Sequence, residues 1–319
     1  LQWLLTHSRA ARLLAVRHVT TNKGRNTPGV DGVVWRQPEE KAKAAGSLKR
    51  RGYRPLPLRR HHIPKKNGKT RALGIPIMKD RAMQALYYYA LLPVAETLAD
   101  HHSYGFRPLR SCRDAIQQCY IIFAREAPAK WVLEADIKAC FDRISHDWLT
   151  RNVPMDRKIL SAWLDSGYLD QGEWFPTRSG TPQGGIISPL LANLTLDGLQ
   201  KIVTSVCPIG SKVNFVRYAD DFIVTAKSRR LLHERVLPAI RNFLAERGLH
   251  LSEEKTRITH INDGFDFLGQ TIRRFNNKLL IKPAKNNIKS FLDKIRERIK
   301  AHRGRSASQL IKDLTPRIR

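Results

Sequence analysis

Two adjacent carboxylates, Asp220 and Asp221, interrupt the apolar, β-branched run Phe215-Val216-Arg217-Tyr218-Ala219-Asp220-Asp221-Phe222-Ile223-Val224. The flanks read as two short strands, with Ala219-Asp220-Asp221 where they turn. Successive side chains of a strand point to opposite faces, and burying unpaired charge is expensive, so neighbouring anions need something cationic to meet them. A hairpin tip would carry at least one carboxylate into a cleft, where a hard divalent cation such as Mg²⁺ takes oxygen ligands. A solvated turn is the plain alternative, because Asp is a favoured turn residue. A third acid, Asp136, closes the alternating segment Trp131-Val132-Leu133-Glu134-Ala135-Asp136-Ile137. The end of a strand suits a metal ligand, and a helix N-cap is the equally common alternative.

The elements that must position these acids are legible in outline. Residues 1–20 mix Leu4, Leu5, Leu13, Leu14 and Val16 with Arg9, Arg12 and Arg17, the pattern of a basic amphipathic helix. A turn-rich loop, Thr21 to Gly32, carries Lys23 and Arg25, which suit phosphate or plain solvent equally well. Between Tyr53 and Pro76 the pattern is strand–turn–strand, with Lys66-Asn67-Gly68-Lys69 as the hairpin tip and Lys65, Lys69 and Arg71 concentrated there. Lysine on an exposed edge is ordinary, but this density of cations also suits a triphosphate or a nucleic-acid backbone.

Residues 80–99 are apolar almost all round, as in a buried helix, and Pro93 should kink or break it. The loop Tyr104-Gly105-Phe106-Arg107-Pro108 follows with an arginine that reads as exposed, then a helix over 111–126. Gly180-Thr181-Pro182-Gln183-Gly184-Gly185 is a loop where backbone can approach a ligand closely. It leads into a buried helix that Ser188 would cap, with Pro189 at its first position. Beyond the paired aspartates come a helix from Leu231 to Leu244 stopped by Gly248, a short strand at Leu249–Leu251, a polar turn over 252–256 and a hairpin from Phe265. The last helix sets Ile288, Phe291, Leu292, Ile295 and Ile299 against a lysine- and arginine-rich face.

The chain has 319 residues, 42% of them hydrophobic, with a formal charge of +29. That is enough to bury a core in two or three subdomains. A compact state so charged repels itself, which points to a polyanionic partner, with nucleic acid ahead of an anionic membrane. No apolar run is long enough to span a bilayer. Four cysteines without paired metal spacing suggest reduced thiols and a cytoplasmic protein. A start at Leu1 and an end in Thr315-Pro316-Arg317-Ile318-Arg319 suggest a fragment of a longer protein.

Taken together, Asp136, the Tyr218-Ala219-Asp220-Asp221 box, Pro182-Gln183-Gly184-Gly185, the hairpin Ile63 to Pro76, Leu249 to Thr256 and Phe267-Leu268-Gly269 resemble the successive blocks of a reverse transcriptase. The N-terminal block and the Thr27-Pro28-Gly29-Val30-Asp31-Gly32 loop resemble bacterial group II intron-encoded reverse transcriptases, the maturases. The resemblance implies an α+β, right-hand polymerase: fingers and palm, an antiparallel palm sheet backed by helices, and the start of a thumb helix. Its parts would be an N-terminal extension and fingers (1–130), palm (131–149 and 186–282), a fingers insertion (150–185) and the beginning of the thumb or maturase region (283–319).

It also implies two Mg²⁺ ions, with Mn²⁺ as a substitute, bridged by Asp136 and Asp220, with Asp221 as an outer ligand and the backbone carbonyl of Ile137 completing one shell. Lys65, Lys69 and Arg71 would neutralise the dNTP triphosphate, Phe141 would exclude a ribose 2′-OH, and Gln183 would touch the incoming nucleotide and template. Lys255 would protonate pyrophosphate, Phe267-Leu268-Gly269 would grip the primer, and Lys23, Arg25 and Arg107 would touch nucleic acid. The implied partners are an intron RNA template, a DNA or RNA primer and dNTPs in a bacterial cytoplasm, without a membrane; a homodimer is a further expectation. The neighbouring readings are a splicing cofactor that binds RNA without polymerase chemistry, and a CRISPR-associated or other bacterial reverse transcriptase. No histidine and cysteine cluster of a zinc nuclease accompanies these blocks.

Overall fold

The computed structural model of the chain describes residues 2–64, 68 and 70–318. Its centre is a four-stranded antiparallel sheet of β3 (Trp131–Asp136), β6 (Asn214–Tyr218), β7 (Asp221–Ala226) and β8 (Arg257–His260), in the order β6-β7-β3-β8. Strands β6 and β7 are the two limbs around the paired aspartates, joined through Ala219 in the left-handed region (φ 59°). Alternation sends Leu133, Ala135, Phe215, Phe222 and Val224 into the main core, where the helices Met78–Thr97 and Ser188–Leu196 lie. The opposite face sends Val132, Val216 and Ile223 against the helix Cys112–Phe123 and a second sheet, β9 (Phe265–Phe267), β10 (Gln270–Phe275) and β11 (Lys278–Pro283). The sheet is thus covered on both faces, and the acids lie at one end of it, where β3 stops and β6 turns into β7.

A third sheet joins segments far apart in sequence. The hairpin β1 (Leu58–Pro64) and β2 (Thr70–Ile75) accepts β4 (Tyr168–Asp170) in parallel alongside β1, and β5 (Glu173–Phe175) follows β4. Lys65, Lys66, Asn67 and Lys69 of its tip lie outside the described residues.

Several local expectations need correcting. The N-terminal stretch forms two helices, Gln2–His7 and Arg9–Thr21, because Ser8 caps the second. The second buries Ala11, Ala15, Val16 and Val19 and leaves Leu13 and Leu14 exposed, since small residues permit closer approach to the helix Met78–Thr97; Leu4 of the first helix is exposed as well. That long helix does not break at Pro93. Pro93 is exposed, so the carbonyl left without a donor can meet solvent. Ser188 is not a cap: its helix starts at Ser188 after Ile187, and the Ser188 hydroxyl is buried without a partner among the described residues. Leu249–Leu251 supplies only a single bridge, Leu251 to Ile137 just beyond the end of β3, while β8 pairs with Trp131–Glu134. The last apolar stripe lies on the helix Lys285–Ala301, which buries no residue. No helix among the described residues is long and apolar enough to cross a membrane.

Candidate active site

Antiparallel pairing of β3 with β7 sets Asp136 directly opposite Asp221, and the period of two puts both on the face shared by Glu134 and Ile223. Asp220 occupies the turn beside them, and its carbonyl accepts a hydrogen bond from the Ile137 amide at 3.2 Å. Asp136 is therefore the terminal residue of a strand rather than a helix cap; the next helix begins at Cys140 behind Ala139. The register of three strands, β3, β6 and β7, brings the acids together.

That convergence is electrostatically unfavourable. Burial, then Asp136 and Asp220, push the Asp221 carboxyl up to about 7. Asp220 is raised by burial and by Asp136. The counter-charge is Lys255, whose Nζ lies 2.9 Å from Asp136 Oδ2 and whose own pKa is raised chiefly by that hydrogen bond. The turn expected at 252–256 places it there, anchored by the Ser252 amide donating to the Asp136 carbonyl at 2.8 Å. Asp136, Asp221 and Lys255, together with Asp266, Glu254 and Arg257, line an open cavity of about 350 Å³ between the central sheet and β9.

With Arg257 paired to Glu134, Lys255 alone faces the aspartates, and the cluster is short of positive charge, which fits a site for divalent cations. Among the described residues no three histidine, cysteine, aspartate or glutamate side chains are gathered closely enough to hold an ion by themselves. Mg²⁺ does not demand that, since it commonly takes one or two carboxylates and fills its remaining positions with water and substrate phosphate.

Above the acids, Arg71 of β2 donates from Nε to Gln183 Oε1 at 2.5 Å, and Gln183 donates from Nε2 to Asp142 Oδ1 at 2.9 Å. This chain ties the β1–β2 hairpin to the segment after β3. Phe141 is half-buried in the short helix Cys140–Arg143, edge-on to Phe106 with ring centres 5.9 Å apart. Lys23 and Arg25 are exposed on a loop held by Arg81, which donates to the carbonyls of Gly24 and Thr27 at 3.0 and 2.5 Å. Lys65 and Lys69 lie outside the described residues.

Two assignments change. Arg107 is not exposed: its side chain is fully buried, donating to Glu96 Oε1 (2.8 Å), Asp197 Oδ1 (2.5 Å) and Ser103 Oγ (3.1 Å). A buried guanidinium engaged by two carboxylates cannot reach a phosphate. Phe267 is buried at 2% exposure within the second core, so its ring packs the sheet. The exposed Asp266 and the half-buried Leu268 flank it, while the Gly269 carbonyl accepts from the Ala284 amide at 3.0 Å.

The pattern of motifs missed two groups. Glu134, one alternation before Asp136, holds Arg257 with two 2.8 Å hydrogen bonds and accepts from Thr259 at 2.9 Å. Arg217 lies inside an apolar strand, and a charge amid β-branched residues is itself a signal that a partner is buried nearby.

Comparison with known proteins follows the same outline. The profile described as "Reverse transcriptase (RNA-dependent DNA polymerase)" matches residues 63–272, and that for the "N-terminal domain of reverse transcriptase" matches residues 1–48. The chain is 33% identical to protein YkfC of Escherichia coli K12, over 82% of this chain and 79% of that protein. It is 32% identical to the group II intron-encoded protein LtrA of Lactococcus lactis subsp. cremoris, over 82% of this chain but only 54% of LtrA. Among solved structures, telomerase from Candida tropicalis in complex with a TWJ fragment of telomeric RNA superposes with a TM-score of 0.56 at 15% identity, over 82% of this chain and 52% of that one. At that identity the likeness is one of fold.

Proposed function

This chain belongs to the reverse transcriptase family, with its right-hand polymerase fold, and on that premise we propose that it carries the RNA-directed DNA polymerase activity of a group II intron-encoded protein. It would extend a DNA or RNA primer with dNTPs, copying an RNA template. The observation that carries the reading is the placement of Asp136 opposite Asp221 with Asp220 on the adjoining turn and Lys255 against Asp136. In the reaction the primer 3′ oxygen forms a bond to the α-phosphorus of the nucleotide and the bond to pyrophosphate breaks.

Asp136 and Asp220 would hold two Mg²⁺ ions, with Asp221 behind them and Mn²⁺ as a substitute. When bound, such cations steady the attacking and leaving oxygens and offset the charge that develops on them. Lys255 stands where an ammonium could release a proton to the departing pyrophosphate. Arg71 and Gln183, at the mouth of the site, would turn from each other toward the triphosphate and base. Phe141 would lie beneath the sugar. The β1–β2–β4–β5 sheet would serve as fingers, with β3, β6, β7 and β8 as palm, and the β9–β10 turn would support the primer through its backbone. Intron RNA is the proposed template and binding partner.

The test is primer extension on an RNA template with dNTPs and Mg²⁺, beside binding to group II intron RNA. Wild type should extend, and Asp220→Asn should abolish synthesis while RNA binding stays intact or tightens. Synthesis by that variant within about tenfold of wild type would remove Asp220 from the metal site, since loss of a charged ligand should exceed such a factor.

A further inference from the structure

The reverse face of the β6–β7 hairpin carries a charge that the reaction itself does not use. Arg217 is among the largest fully buried side chains, with 0% exposure. Alternation along β6 points it away from Asp221 and towards the helix Ser188–Leu196. Its Nη1 donates to Asn193 Oδ1 at 3.1 Å and to the carbonyl of Ala219 at 3.3 Å, and its Nη2 donates to Asp197 Oδ1 at 2.7 Å. Asn193 in turn donates to the Gly105 carbonyl at 2.9 Å. Gly105 sits so close to the turn that a Cβ there would lie 2.3 Å from the Ala219 nitrogen. The strand is also clasped along its backbone, with the Arg217 amide donating to the His102 carbonyl and the Tyr104 amide donating to the Arg217 carbonyl, both at 2.8 Å.

Ala219 is the turn residue so gripped, and it is a non-glycine in the left-handed region at φ 59°. Such a conformation costs energy and persists only where its surroundings over-determine it. It also sets the direction of the next residue, Asp220. Stability does not explain the arginine. Arg217 Nε and Asp197 Oδ2 are both buried without a partner among the described residues, and a buried ion pair is often replaceable by apolar side chains of like volume with no loss of stability. Asp197 would not even be stranded, because Arg107 Nη2 also donates to it at 2.5 Å.

We propose that Arg217 is a positioning residue, anchored by Asn193 and Asp197, that fixes the Ala219–Asp220 turn from behind and so aims the Asp220 carboxylate at its cation. The inference rests on the polymerase reading above for its link to catalysis, but its first readout does not.

The experiment compares wild type with Arg217→Met and Asn193→Leu, and uses Val19→Ala, a buried truncation on the Arg9–Thr21 helix, as a control for mild destabilisation. Each is measured for thermal unfolding, for Mn²⁺ binding by electron paramagnetic resonance without substrate, and for single-turnover primer extension. The expected result is that Arg217→Met and Asn193→Leu stay folded at the assay temperature, bind primer–template as wild type does, and lose about tenfold or more in Mn²⁺ affinity and in extension rate. Small misplacements of a reacting group are known to have effects of that size. Val19→Ala should lose neither. If the folded variants bind Mn²⁺ and extend within about threefold of wild type, far short of that size, the positioning role is overturned. Failure of both variants to fold would assign the network to stability alone and overturn it equally. A wild type that binds Mn²⁺ but does not extend would sink the polymerase reading while the Mn²⁺ comparison still decides the role of Arg217; a wild type that does neither overturns both.

Discussion

Burial together with Asp136 and Asp220 raises Asp221 to about 7 against an ordinary 3.8. Between those values the folded chain holds a proton that the unfolded chain has released. The contribution of this group to stability is therefore complete below the ordinary value and is lost as pH rises through about 7. In EDTA, Asp221→Asn should melt several degrees above wild type at pH 8, a difference of a few kcal/mol at most on the usual scaling, and the gap should close towards pH 4. Parallel melting curves for the two proteins across that range would show that Asp221 is not the strained carboxylate. Phe141 is the second residue whose role separates cleanly. Its half-buried ring, edge-on to Phe106, is either ordinary packing or the floor beneath the nucleotide sugar. As a floor, Phe141→Ala should raise incorporation of rNTP relative to dNTP by at least about tenfold, the scale of discrimination by fit for a small group. Single-nucleotide extension with each substrate measures the ratio. Equal slowing of both would return Phe141 to the core.

Gly105 shows how one element constrains another. The loop from His102 to Gly105 runs beside β6 and closes on the turn at Ala219. A methyl group at Gly105 would meet backbone atoms of Tyr218 and Ala219 rather than a side chain that could swing away. Gly105→Ala should accordingly lower stability by about 1–3 kcal/mol, the usual range for overpacking, and reduce DNA synthesis by more than that loss explains, because the displaced segment is the hairpin turn itself. Urea unfolding and primer extension on the same preparation give both numbers. An active Gly105→Ala with wild-type stability would mean that the loop yields instead of the hairpin.

At the scale of the whole molecule, a charge of +29 on 319 residues must be offset by something outside the chain. Exposed Lys23, Arg25 and Arg71 lie on different elements, and the helix Lys285–Ala301 adds a basic face of its own. Binding of structured RNA should fall steeply with salt. If about five phosphates are neutralised, the log–log slope should be about −4, at roughly −0.7 to −0.9 for each contact. Filter binding between about 50 and 200 mM salt, the interval over which such losses are usually compared, measures it. A flat response would mean that the charge serves some purpose other than gripping a phosphate backbone.

What the sequence determined by itself was local and periodic. The two limbs around Asp220 and Asp221, the strand ending in Asp136, the polar turn bearing Lys255 and the buried helix after Lys79 all follow from alternation, turn chemistry and apolar runs, which act between near neighbours in the chain. The reverse transcriptase resemblance was carried by those same blocks. Burial and partnership were decided only by tertiary structure. Arg107 reads as exposed because its loop is polar, yet Glu96 and Asp197, brought in from two helix ends, enclose it completely. Leu13 and Leu14 read as core, yet packing against a long helix favoured Ala11 and Ala15, which let the two backbones draw close. The opposition of Asp136 and Asp221 likewise depends on the register between β3 and β7, whose partners are distant in sequence. Register, burial and charge pairing are properties of surfaces that meet only after folding, and no local pattern in a single chain records which surfaces those will be.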